Sequence, residues 1–85
     1  MREVFIHEHA LKHGVSQEEI LDAWNNFVAM RHREMPKEDQ IVVVGFCSKR
    51  NKLIQMIAVE KGDMVLIYHA MTPPQKSVLV ELGLD

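Results

Sequence analysis

Hydrophobic positions recur at helical spacing through residues 16–28. Relative to the first of them, the apolar side chains fall at i, i+4, i+7 and i+8: Ile20, Trp24, Phe27 and Val28. Ser16 precedes this run, and Glu19 follows Ser16 by three residues. This spacing is the sequence signature of a capping box. The pattern predicts an amphipathic helix that begins after Ser16 and whose apolar face covers one side of a sheet.

The segment before this helix is shorter and less regular. Residues 4–6 are apolar and are interpreted either as a strand or as a plug against the core. Residues 7–13 are interpreted as a short helix that ends at Gly14, because glycine adopts the left-handed conformation that terminates helices.

The middle of the chain changes to strand-like patterning. Residues 29–40 are polar around Pro36 and predict a loop with a short strand at its start. Apolar, β-branched runs at 41–47, 53–60 and 64–70 predict three strands. The turns between these runs, 48–52 and 61–63, are too short for a parallel crossover, so the strands are expected to be antiparallel.

A last helix is expected after the strands. Thr72 is predicted to be its N-cap, Pro73 its first residue and Gln75 the partner in a second capping box. The predicted fold is therefore α+β, with two N-terminal helices, a three- to four-stranded antiparallel meander sheet and a short C-terminal helix. A chain of 85 residues has the size of one domain, which we assign to residues 1–85.

Charge and cysteine content narrow the class of protein. The net charge is −2, but residues 31–61 carry seven lysines and arginines against four aspartates and glutamates. Cys47 is the single cysteine and lies in an apolar run, which is typical of a buried, inert thiol. No apolar run approaches membrane-spanning length, so we expect a cytoplasmic protein with no membrane partner.

Five histidines raise the question of a metal site. His9 and His13 are four residues apart and would share a helical face, with His69 as a distant third ligand. Ala10 stands where a zinc-protease signature has glutamate. We therefore expect structural or solvated histidines, no metal and no cofactor, with a histidine metal site as the alternative.

His69 is the best candidate for proton transfer. Imidazole titrates near neutral pH, and a histidine at the end of a central strand can serve as a general acid or base. Strand alternation predicts that it shares a face with Val65, Ile67 and Met71. The alternative is a structural histidine that packs on a helix and bonds a backbone carbonyl.

Cations cluster at the predicted hairpin tip. Lys49, Arg50 and Lys52 lie there, and Arg31 and Arg33 are expected on the same side. Three cations on a hairpin tip can bind phosphate, although hairpin tips are also charged because they are solvated. No aromatic residues interleave with them, so stacking of single-stranded bases is not predicted.

Two segments carry a family resemblance. They are residues 9–23, with His9, Ala10, His13, Gly14, Val15, Ser16, Ile20 and Ala23, and residues 67–71, with Ile67, Tyr68, His69, Ala70 and Met71. This pattern resembles the BrnT-type toxins of type II toxin–antitoxin modules, within the RelE-like superfamily. The resemblance implies a RelE-like fold and a metal-independent endoribonuclease that inhibits translation and is neutralised by an antitoxin protein.

The resemblance also implies site residues. His69 would be the catalytic acid or base, and Arg50 or Lys52 would stabilise the phosphorane. RNA contacts would come from Arg31, Arg33, Lys49 and Lys76. The sequence departs from the family pattern after the last strand, where residues 71–75 contain no arginine and Lys76 is the nearby cation.

A second hypothesis is a non-catalytic interaction or dimerisation domain on a degenerate toxin fold. It depends on the apolar C-terminal helix and on methionines suited to adaptable interfaces: Met30, Met35, Met64 and Met71. A homodimer would be one form of this function.

Overall fold

The computed structural model describes residues 3–85. In chain order the elements are β1 (Glu3–Ile6), a single 3-10 turn (Glu8–Leu11), α1 (Gln17–Asn25), β2 (Phe27–His32), β3 (Gln40–Cys47), β4 (Lys52–Lys61), β5 (Met64–Met71) and α2 (Lys76–Glu81).

The strands form one five-stranded mixed sheet in the order β1-β5-β4-β3-β2. β1 pairs with β5 in parallel, and the remaining neighbours are antiparallel. The α+β class is as predicted, but the three- to four-stranded antiparallel meander is wrong. The prediction missed the parallel pair because β1 is four residues long and its partner strand lies at the far end of the chain.

The prediction of two N-terminal helices is also wrong. Residues 8–11 form only a 3-10 turn, so α1 is the one α-helix before β2 among residues 3–85. The backbone N–H of His7 donates to the Ile67 carbonyl at 2.8 Å, which continues the pairing of β1 with β5 and holds the turn at this sheet edge.

α1 begins as predicted and ends earlier than predicted. Ser16 Oγ accepts from the Glu19 amide at 3.2 Å, and the Ser16 amide donates to Glu19 Oε1 at 2.8 Å, which completes the capping box. At the other end, the Asn26 side chain donates to the Asp22 carbonyl at 2.8 Å. Asparagine competes in this way for helical backbone groups, and the chain leaves the helix before Phe27.

α1 packs on one face of the sheet, here called the α1 face. Its buried residues Ile20 and Ala23 join a core that includes Ile41, Met56 and Ile67. The approach is close at Gly45 in β3, where a Cβ atom would overlap the carbonyl oxygen of Ala23. Glycine is therefore required at this position for α1 to lie this near the sheet.

The opposite face is here called the α2 face. Val42 and Val44 of β3 are buried there against Val78 and Leu82 at the C-terminal end of the chain. α2 starts later than predicted: Gln75 is the N-cap without a side-chain capping bond, and Thr72 Oγ1 instead donates to the Leu53 carbonyl at 2.7 Å. Because α2 has only six residues, it covers only part of this face.

No helix formed by residues 3–85 combines the length and apolar character needed to cross a lipid bilayer.

Candidate functional site

A β-bulge in β5 decides where His69 lies. The register with β4 shifts between Ile57, which pairs with His69, and Ala58, which pairs with Ile67, so Tyr68 is the extra residue. Ile57 also pairs with Val42 of the α2 face. Because directly paired residues share a face, His69 lies on the α2 face.

This placement corrects the predicted alternation. Val65 and Ile67 belong to the core of the α1 face, so His69 does not share their face. Simple alternation assumes an unbroken strand, and one extra residue reverses the facing of everything after it. His69 therefore lies on the opposite face of the sheet from the one predicted from the sequence.

On the α2 face, His69 belongs to a network centred on Gln55. Gln55 is fully buried and is the one buried polar side chain among residues 3–85. Its Oε1 accepts from the Gln75 backbone N–H at 2.9 Å, and its Nε2 lies 3.2 Å from Gln75 Oε1 and 3.1 Å from His69 Nε2. All the polar atoms of the buried amide are thus satisfied.

The network fixes the tautomer of His69. A backbone N–H can only donate, so the Gln55 atom that faces it must be the amide oxygen. The Gln55 nitrogen then donates to Gln75 Oε1 and to His69 Nε2. His69 Nε2 therefore accepts, and the neutral ring carries its proton on Nδ1.

The electrostatic surroundings favour the same neutral state. Burial lowers the pKa of His69, and the neighbouring His13 lowers that pKa further. The two rings meet edge-on, with 5.4 Å between their centroids. His13 and His69 come from the two segments that resemble BrnT-type toxins, and they are neighbours in the structure.

His9, His13 and His69, the ligands of the alternative metal site, do not come together in the structure. His9 lies against His7, with 4.8 Å between ring centroids, while His13 lies against His69. Within residues 3–85, no three histidine, cysteine or carboxylate side chains lie close enough together to hold a metal ion.

Arg33 connects α2 to the sheet. Its Nε and Nη2 donate to the two carboxylate oxygens of Glu81 at 3.2 and 3.3 Å, and its Nη1 donates to Gln40 Oε1 at 2.9 Å. Arg33 also acts on Tyr68: burial raises the pKa of Tyr68, and the guanidinium opposes that rise. This arginine is engaged in holding the fold rather than presented to solvent.

Two of the three hairpin-tip cations, Lys49 and Arg50, contact α1 rather than His69. Lys49 Nζ lies 2.9 Å from Glu18 Oε2, and Arg50 Nε lies 3.2 Å from Glu19 Oε2. Both glutamates belong to the first turn of α1. The structure therefore places Arg50 beside α1, whereas His69 lies on the α2 face.

The remaining predicted RNA contacts, Arg31 and Lys76, and the predicted phosphate stabiliser Lys52 lie apart from one another. Arg31 donates to the Glu81 carbonyl at 3.3 Å and lies 3.6 Å from Glu34, and Lys76 lies 4.0 Å from Asp85. Lys52 forms no ion pair within residues 3–85; it lines an open recess of about 380 Å³ with Leu53, Thr72, Pro73 and Pro74. The predicted catalytic and RNA-binding residues do not form one cluster.

A surface that the sequence indicated only through Met30 lies at the opposite edge of the sheet from β1. β2 is an edge strand, and Phe27, Val28 and Met30 are 55%, 53% and 41% exposed. An apolar recess of about 90 Å³ adjoins it, lined by Trp24, Phe27, Met30 and Val43. We call this combination of β2 and the adjoining recess the β2 edge.

Phe27 and Val28 also fit the helical spacing, which predicts them on the core face of α1. The residues around them nevertheless indicate a strand. The consecutive Asn25 and Asn26, followed by an aromatic and a β-branched residue, favour a helix stop and a strand start.

The chain matches no protein-family model, no curated protein and no solved structure.

Proposed function

We propose that this domain is a non-catalytic protein-interaction module that docks another chain along the β2 edge. The observation that carries this proposal is the exposure of three large apolar side chains, Phe27, Val28 and Met30, on a strand with one unpaired side. Edge strands normally bear charges, prolines or a cover that prevents pairing with other chains. The first four residues of β2 have none of the charges or prolines that serve this purpose.

The recess beside the strand supports the same function. It is lined by apolar side chains and can accept one apolar side chain of a bound chain. Backbone hydrogen bonds along the strand would supply affinity, and the recess would supply selectivity, as in recognition by strand addition. Met30 and Phe27 belong to both the strand and the recess, so the two features form one surface.

Three of the cations predicted to contact RNA or its phosphate are paired with carboxylates of this chain, which favours a protein-binding function over RNA cleavage. Lys49, Arg50 and Arg33 each contact a carboxylate of this chain at 3.2 Å or less. A phosphate group would have to compete with those carboxylates. The apolar β2 edge has no comparable competitor among residues 3–85.

Site-specific photo-crosslinking tests this function. A photoreactive phenylalanine analogue is placed at Val28 in the full chain and expressed in the cells that make the protein. The matched control carries it at Val80, which is 59% exposed and lies on α2. We expect a discrete adduct from position 28 and none from position 80. Equal labelling from both positions, or no adduct from position 28, would overturn the proposal.

A second candidate is the toxin-like, metal-independent endoribonuclease, and the His13–His69 pair favours it. Cleavage at a ribose 2′-hydroxyl needs one group that removes the hydroxyl proton and another that protonates the leaving 5′-oxygen. Two imidazoles with 5.4 Å between their centroids can supply both groups. However, His69 can accept a proton on Nε2 only if its hydrogen bond from Gln55 breaks.

RNA cleavage by the purified full chain tests this candidate. Its activity would yield cyclic-phosphate ends, and His13→Ala and His69→Ala would each lower the rate about 100-fold or more. His7→Ala is the control, because His7 contacts His9 rather than His69. Intact RNA in vitro, together with normal growth of cells that express the chain alone, would contradict it. A cytoplasmic location and an antitoxin partner belong to this second proposal.

A further inference from the structure

We infer that the chain that docks on the β2 edge is a second copy of this protein, paired antiparallel about a two-fold axis at Met30. This inference rests on the proposed function and adds the partner and its register. It follows from the directions of backbone hydrogen bonds, from the charge pattern of β2 and from the position of the apolar recess.

Hydrogen-bond direction identifies the free backbone groups of β2. The Arg33 N–H donates to the Gln40 carbonyl at 2.9 Å, so Arg33 turns its backbone toward β3. The register runs without a shift from Ala29 to His32. Because successive residues of a strand alternate in direction, Arg31 and Ala29 also bond β3, and Met30 and His32 turn their N–H and C=O groups outward.

Between Met30 and His32 the outward groups permit three symmetric registers. In an antiparallel pair, outward residues must lie opposite outward residues, so the axis passes through Met30, Arg31 or His32. An axis through Arg31 would set two arginines directly opposite in a close pair, with about 4.5 Å between Cα atoms, and an axis through His32 would set Arg31 opposite the partner's Arg33. Like charges in those positions destabilise a sheet, which leaves the axis at Met30.

The charge pattern of β2 is complementary to itself in this register. Residues 27–30 are uncharged, and the cationic side chains follow at Arg31 and Arg33, with His32 between them. About the axis at Met30, Arg31 lies opposite the partner's Ala29. The register of β2 with β3 shifts between Phe27 and Ala29, so regular pairing ends at the partner's Ala29, and His32 meets the uncharged segment that contains the partner's Val28. Each cationic half therefore meets an uncharged half, and no like charges oppose each other.

The recess continues across the same axis. Met30 pairs with Val43, a core residue of the α1 face, so Met30 lies on that face. The two-fold axis runs perpendicular to the sheet and brings the two Met30 side chains together, with a Trp24 recess on each side. Dimerisation would bury both recesses and extend the apolar layer of the α1 face between the two copies.

A cysteine pair tests both the partner and the register. Residues opposite each other in a hydrogen-bonded antiparallel pair have Cα atoms about 5.5 Å apart, which a disulfide can span. Met30→Cys should therefore form a covalent dimer under mild oxidation, whereas Arg31→Cys should not. The native Cys47 is buried and serves as the internal control in the unsubstituted chain.

Sedimentation of the unsubstituted full chain provides the second measurement. We expect a reversible monomer–dimer equilibrium that Val28→Lys weakens at least about tenfold, while Val80→Lys leaves it unchanged. Cross-linking of Arg31→Cys in place of Met30→Cys would overturn the register. A monomer at every concentration, with no cross-link from Met30→Cys, would overturn the inference. If the chain is such a monomer, a photo-crosslinked adduct of position 28 with a different protein would still support docking on the β2 edge. If no adduct forms either, both the dimer and the proposed docking function are contradicted.

Discussion

The buried amide of Gln55 fixes the protonation state of His69. Its oxygen is committed to the Gln75 backbone N–H at 2.9 Å, so its nitrogen must face His69 Nε2 at 3.1 Å as a donor. A protonated imidazole would set two donors against each other. The start of α2 and the charge of a histidine on β5 are therefore coupled through one side chain.

The pH dependence of stability should reflect this coupling. The pKa of His69 is lower in the folded protein than in the unfolded chain, so the unfolded chain binds the extra proton first. The contribution of His69 to stability should be complete above the unfolded value of about 6.5 and decline as the pH falls from there through the folded pKa. Urea unfolding of the unsubstituted chain and of His69→Gln between neutral and acidic pH measures it. The difference in their unfolding free energies should shrink as the pH falls; a difference independent of pH would contradict the assignment.

Gln55→Glu should reverse that dependence. A carboxylate beside Nε2 would favour the imidazolium and raise the pKa of His69 above its unfolded value. The histidine would then add stability at low pH and lose it as the pH rises through the folded pKa. NMR titration of the His69 ring in the variant and in the unsubstituted chain measures the shift directly. A lower pKa in the variant would show that Gln55 does not control the ring.

Gly45→Ala should strongly destabilise the fold. The added methyl group would overlap the Ala23 carbonyl, which α1 can relieve only by moving off the sheet. We expect a loss of about 3 kcal/mol in unfolding free energy, at the upper end for overpacking. Ala23→Gly should not rescue it, because the overlap is with backbone rather than with the Ala23 side chain. A rescue, or a loss within about 0.5 kcal/mol as for ordinary surface changes, would contradict the packing described.

Arg33→Lys should loosen α2 although it keeps the charge. Lysine cannot donate to both Glu81 oxygens and to Gln40 at once, as the guanidinium does. We expect a loss of about 1–2 kcal/mol on unfolding by urea. The matched control is Arg31→Lys, a half-exposed contact expected to change stability by less than about 0.5 kcal/mol. Equal effects of the two substitutions would mean that the Arg33 fork contributes nothing of its own.

The sequence predicted those elements of the fold that depend on residues close together in the chain. The capping box at Ser16 and Glu19 places the start of α1, and the short turns after β3 and β4 require antiparallel pairing. The strand interpretation of residues 4–6 is confirmed by β1, but nothing in that segment indicates its parallel partner β5. The short strand predicted at the start of residues 29–40 corresponds to β2. Its beginning was placed too late because Phe27 and Val28 fit helical and strand patterns equally, and the end of α1 depends on a side-chain bond from Asn26 to Asp22.

The candidate site was predictable only in part. His69 was identified from its position at a strand end, and the structure joins it to His13. Its face was wrong because the bulge at Tyr68 leaves no mark in the hydrophobic pattern. Gln55 was missed because one glutamine in an apolar strand gives no sign of a network that depends on the Gln75 backbone. The cations at the hairpin tip were seen, but their pairing with Glu18 and Glu19 arises only when the hairpin folds onto α1.

Amide hydrogen exchange along β2, measured by NMR as a function of protein concentration, shows whether two β2 strands pair in solution. The outward N–H groups of Met30 and His32 should exchange rapidly in dilute protein and become protected as the concentration rises. The Arg31 N–H, which turns toward β3, should be protected throughout and provides the internal reference. Protection of Met30 and His32 that rises together with dimer formation is the predicted result. Rapid exchange at both amides at every concentration would contradict the pairing of two β2 strands.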